Sequence, residues 1–192
     1  MSASGSRGFS MLEVLITLVI MGVGVLGLAM AQARMQRADF EAYQRAQALV
    51  LLSDIVDRIN ANRAAAGCYA FTNAATGTPY AGAAGPGSLG APACALGGAT
   101  AEQIARATAD LVEWDALLRG AATTSGTGSV GAMIGARGCV SFDVPTSTYT
   151  VVVAWQGLHE TFAPTVACAN GLYGAETLRR AVRTTVRIAS LL

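Results

Sequence analysis

Four cysteines, a single histidine and one carboxylate close to an apolar run are the residues of this chain whose types and spacing could do chemistry. Cys68, Cys94, Cys139 and Cys168 could bridge one another or hold a metal. No CxxC spacing occurs and His159 is the only histidine, so the ligand pattern of a zinc site is missing. An even cysteine count suits disulfides made in an oxidising compartment. The four cysteines allow three connectivities. Pairing Cys68 with Cys94 and Cys139 with Cys168 keeps each bridge local in sequence, so that one loop and one sheet are tied down independently. His159 stands beside Glu160 with no serine or cysteine motif to serve, and no Walker, Rossmann or metal signature occurs. His159 reads as an ordinary loop residue. The expectation is a chain that is not an enzyme and takes neither cofactor nor metal.

The carboxylate is Glu13, which immediately precedes 18 uninterrupted apolar or glycine-class residues at 14–31, with one threonine among them. As a helix that run reaches roughly 27 Å, close to the hydrocarbon thickness of a bilayer. A cleaved secretory signal has a shorter apolar core, about 7 to 15 residues, with a small-residue site beyond it. A transmembrane helix is therefore predicted. Arg7 precedes the run and the polar bulk follows it, which leaves residues 1–8 cytoplasmic and the remainder outside. A carboxylate deep in a bilayer costs on the order of 2.5 kcal/mol or more, so Glu13 calls for a partner of opposite charge. The rival reading is an uncleaved signal anchor whose glutamate snorkels to the interface.

The segment GFSMLEVLITLVIMGVG resembles the class III signal of type IV prepilins, with glycine before the cut, phenylalanine first in the mature chain and glutamate fifth. The resemblance implies a leader of residues 1–8, cleavage by prepilin peptidase between Gly8 and Phe9, and N-methylation of Phe9. It also implies that Glu13 meets the N-terminal amine of a neighbouring subunit during assembly. Gly22, Gly24 and Gly27 interrupt the same run, each costing about 1 kcal/mol against alanine in a helix interior. They serve either local unwinding, as resemblance to pilins in filaments implies, or close helix packing through small residues.

Positioning these residues takes one long helix and a head. Residues 9–31 form the membrane and assembly segment, and residues 32–66 continue it amphipathically, with Ala42, Ala46, Leu49, Leu52, Val56 and Ile59 at spacings of three and four. A coiled coil is the alternative, although the stripe is short. Glu41 with Arg45 and Asp54 with Arg58 stand four apart on the solvated face. Residues 67–192 make the head. A loop at 67–99 is rich in Ala, Gly, Pro, Ser and Thr and carries Cys68 and Cys94. Thr100 and Gln103 form a capping box for a helix over 100–119, with Ile104, Ala107, Leu111, Trp114 and Leu117 as its apolar stripe. An antiparallel sheet occupies 130–192, with strands at 130–134, 139–144, 148–155 and 180–189. Hairpin turns are expected at 135–138 and 145–147. The expected fold class is α+β, a long N-terminal helix packed on a small antiparallel sheet, which is the type IV pilin architecture that the resemblance implies.

The head is similar to the type IV pilus modification proteins, the PilV type of minor pilin, in its GCVSFD, YTVVVAWQG and ETLRRAVRTTVRI segments and its cysteine placement. That likeness implies a subunit that joins other minor pilins in a complex priming filament assembly and stays at the pilus tip. Its partners would be prepilin peptidase, sister minor pilins and the major pilin. It would reside in the inner membrane, crossing once with its head in the periplasm, and later in the cell-surface pilus. A type II secretion pseudopilin is the first alternative, with no Asp-rich calcium loop to favour it. A tip adhesin is the second, offering the stretch at 69–80 as surface for a ligand.

Composition agrees with this division. Hydrophobic residues make up 53% of the 192 and charged residues 13%, so part of the apolar excess must face lipid or other subunits. The net charge of +1 includes Arg7, and a chain starting at Phe9 is neutral, which excludes a nucleic-acid binder.

Overall fold

The computed structural model describes residues 10–94 and 98–188. The chain divides into two units, Met1–Phe40 and Glu41–Leu192. Gly8 and Phe9 lie outside the described residues.

Helix α1 spans Met11–Ala61. Within the first unit its apolar side chains stay exposed, and none of the most hydrophobic window is buried. Within the second unit the same helix buries Gln44, Ala48, Leu51, Leu52, Ile55 and Ile59. The helical spacing is the expected one, but the face is rotated: Ala42, Ala46 and Leu49 are exposed. Apolar residues surround the helix at 48–52, so periodicity alone does not select the buried side. What selects it is the row of large side chains that the sheet presents. After Ala61 the chain tightens into a 3-10 turn at Arg63–Tyr69, which ends the continuation short of residue 66.

Helix α2, Ala101–Leu118, starts at the capping box read from the sequence. Thr100 Oγ1 accepts from Gln103 N at 3.2 Å, and Gln103 Oε1 accepts from Thr100 N at 2.8 Å. Five strands follow: β1 Thr124–Ser125, β2 Gly128–Ser129, β3 Arg137–Asp143, β4 Thr148–Gln156 and β5 Arg179–Arg187. Strands β1 and β2 form a minimal antiparallel pair. The main sheet is antiparallel in the order β3-β4-β5, with Val140 opposite Val151 and Val153 opposite Val182.

Residues 130–134, expected as a strand, join neither sheet. Their backbone bonds go to a loop and to the end of β4, from Val130 N to Thr123 O at 2.8 Å and from Gln156 N to Ile134 O at 2.8 Å. Only Met133 of that stretch is buried, so the segment has no apolar face to pair. The sheet accordingly begins at Arg137.

Strand β4 reads as a run, Val151-Val152-Val153-Ala154-Trp155, because both of its faces are covered. One face, with Tyr149, Val151, Val153 and Trp155, meets Leu51, Ile55, Trp114 and Leu118 of the two helices. The other, with Val152 and Ala154, meets Tyr80, Cys168, Ala169 and Tyr173. Trp114 fixes the helix layer by donating from Nε1 to Leu51 O at 2.9 Å. The long loop is not independent of the sheet. Ala81 exchanges both backbone bonds with Gly138, at 2.8 and 3.0 Å, and Thr72 N donates to Val140 O at 2.8 Å. The outer edge of β3 is thereby covered, which removes a template for unwanted pairing.

Candidate functional site

Ser10 starts α1: its Oγ accepts from Leu12 N at 3.3 Å and its carbonyl from Glu13 N at 3.0 Å. Glu13 therefore falls in the first turn, where unpaired amides and the helix dipole favour a negative charge. Around and after it Leu12, Val14, Leu15 and Ile16 are all exposed. The carboxylate thus stands at the head of a helix whose neighbouring apolar side chains are not buried. Gly22, Gly24 and Gly27 lie inside the unbroken helix, and a Cβ built on any of them would meet nothing within 4 Å.

The cysteines sit where the second unit needs fastening. Cys68 and Cys94 are joined, with Cα atoms 5.2 Å apart, at the two ends of the long loop. Cys139 of β3 is joined to Cys168, with Cα atoms 5.9 Å apart, under the second apolar cluster. The chain around Cys168 is gathered by Arg179, a buried arginine that no sequence pattern singles out. Its guanidinium donates to Val166 O at 2.6 Å, Cys168 O at 3.1 Å and Pro164 O at 3.1 Å. Glu176 completes it at 2.6 Å. Although burial acts the other way, the Gly171 amide and Arg179 hold the Glu176 carboxyl below its usual range.

A second polar cluster joins α1 to α2. Arg58 meets Asp54 at 2.9 Å, Glu113 at 2.8 Å and the buried Asp110 at 3.2 Å. Tyr69 donates its hydroxyl to Asp110 at 2.6 Å, and burial followed by that bond pushes its pKa up. The Arg58 bond holds the Glu113 carboxyl low. Asp54, Arg58, Asp110 and Glu113 line a groove of about 750 Å³ between the helices. Arg58 and Arg106 are paired within the chain to Asp54, Asp110 and Glu113, which makes the cluster a structural joint.

Two expectations about single residues change. Glu41 does not serve Arg45. Its Oε1 accepts from Leu158 N at 3.1 Å and lies 3.0 Å from His159 Nδ1 and 3.5 Å from Arg180. His159 is consequently one hand of a clasp between a loop and α1. Sequence spacing could not reveal it, because the partners lie more than a hundred positions apart. Among the described residues no group of three His, Cys, Asp or Glu side chains is arranged to hold a metal.

Residues 3–29 match the family described as the prokaryotic N-terminal methylation motif. The match takes in Gly8, Phe9 and Glu13. No curated protein and no solved structure matches the chain. The motif supports a type IV pilin-like protein, either a pilin or a pseudopilin, and the α+β fold is consistent with the type IV pilin fold. It implies processing by prepilin peptidase and assembly with other pilins, and with the apolar helix it points to membrane anchoring before assembly.

Proposed function

We propose that this chain is a minor pilin of the type IV pilus, of the PilV type, acting as a structural subunit of a minor-pilin complex that primes filament assembly and sits at the tip. The observation that carries the reading is the methylation motif over residues 3–29, set on a helix whose apolar window has no burial of its own. The likeness of the GCVSFD, YTVVVAWQG and ETLRRAVRTTVRI segments to the type IV pilus modification proteins supports the subclass. In this reading residues 1–8 are removed between Gly8 and Phe9, Phe9 is N-methylated, and Glu13 pairs with a neighbour's N-terminal amine. The head lies in the periplasm before assembly, braced by the Cys68–Cys94 and Cys139–Cys168 bridges, and no catalytic chemistry is performed.

Mass spectrometry of the chain from membranes and from sheared filaments tests this directly. N-methylated Phe9 in filaments, with Glu13→Ala still inserted in the membrane but absent from filaments, is the expected outcome. An intact Met1 confined to the membrane would reduce the protein to a signal-anchored domain. Finding the processed chain all along the shaft, rather than at ends, would remove the tip role while leaving the pilin.

A further inference from the structure

The loop at 157–164, between β4 and the turn into β5, is fastened along its backbone. Gly157 N donates to Leu178 O at 2.8 Å and Thr161 N to Thr177 O at 2.8 Å. Leu158 N and His159 Nδ1 both hold Glu41 Oε1, at 3.1 and 3.0 Å, while Arg180 donates to His159 O at 2.6 Å. Arg180 also packs on Gly157, where a Cβ would come within 2.6 Å of the guanidinium carbon. A segment held in this way has little freedom left to lose on binding. From this loop Phe162 projects with 98% of its surface exposed, and Leu158 is 45% exposed. Such a ring adds nothing to the core, yet aromatic side chains are the ones that dominate interface energies.

We propose that Phe162 is an anchor that inserts into an apolar pocket, rimmed by Arg or Lys, on a neighbouring subunit of the filament. This rests on the pilin reading above. Charge selects the partner. Glu160, two residues before the ring, is exposed and forms no ion pair among the described residues, whereas Arg180, at the start of β5, is turned onto Glu41. An anionic bilayer surface would repel that carboxylate, and a basic pocket rim would neutralise it.

The test places a photo-crosslinking phenylalanine derivative at position 162 of the full chain, in cells that assemble filaments. The expected product is an adduct with a subunit carrying its own N-terminal methylation motif, mapped to an apolar site beside Lys or Arg. Phe162→Ala should lower recovery in filaments by roughly fivefold to tenfold without moving Tm, Phe162→Tyr should restore it, and Glu160→Lys should also lower it. Adducts with lipid alone, with a protein lacking the motif, or with a site without basic residues overturn the proposal. So does unchanged recovery of Phe162→Ala, or a fall in its Tm. If the unaltered chain is itself neither methylated at Phe9 nor found in filaments, the pilin reading fails first and takes this inference with it.

Discussion

Gly138 lies where two layers touch. A Cβ at that position would come within 2.2 Å of the Trp114 ring and 2.7 Å of Leu118, both fully buried. The indole cannot swing away without breaking its 2.9 Å bond to Leu51 O. Gly138→Ala is therefore an overpacking change, expected to cost about 1–3 kcal/mol. Circular dichroism of the melting transition should show a fall of several degrees, and an unchanged Tm would mean that the helix layer yields. Trp114 itself was legible as core from its place in the α2 stripe. Gly138 was read only as part of a turn, because the sequence does not show which ring will lie against it.

Elements were legible where the pattern was local. The capping box fixes the start of α2, and the alternation of Val182, Thr184 and Val186 with Arg183 and Thr185 gives β5 its register and its wet face. Residues 130–134 misled because a short apolar run with a glycine in it has β propensity without a face to bury. The joints between elements were invisible, since Arg58 with Asp110 and Arg180 with Glu41 unite distant stretches. Two other carboxylates carry a pH dependence. Glu113 beside Arg58, and Glu176 under Arg179 and the Gly171 amide, both have folded pKa values below their unfolded ones. Their stabilisation is present above the unfolded carboxylate value of about 4.3 and is lost as pH falls through the depressed folded values. Tm is expected to hold from neutral pH to about 5 and then decline, and Glu176→Gln should remove part of that decline. A Tm that rose on acidification would contradict the assignment of both carboxylates.

At the scale of the whole molecule, the composition and the structure describe the same division. The apolar excess that made a membrane segment necessary is the exposed first part of α1, and every buried residue of that helix lies at Gln44 or later. The unit Glu41–Leu192 retains both disulfides, both helices' contributions to the core and the complete β3-β4-β5 sheet. None of the described residues before Glu41 is buried, so removing residues 1–40 takes away no buried side chain among them and removes apolar surface that water does not accommodate. The shortened chain, exported to an oxidising compartment, should be soluble without detergent, contain no free thiol and unfold in one cooperative transition. The full chain should need detergent to stay in solution. Should the shortened chain aggregate or melt without cooperativity, the first forty residues would be supplying the head with packing, and the separation of an assembly segment from a self-sufficient head would have to be abandoned.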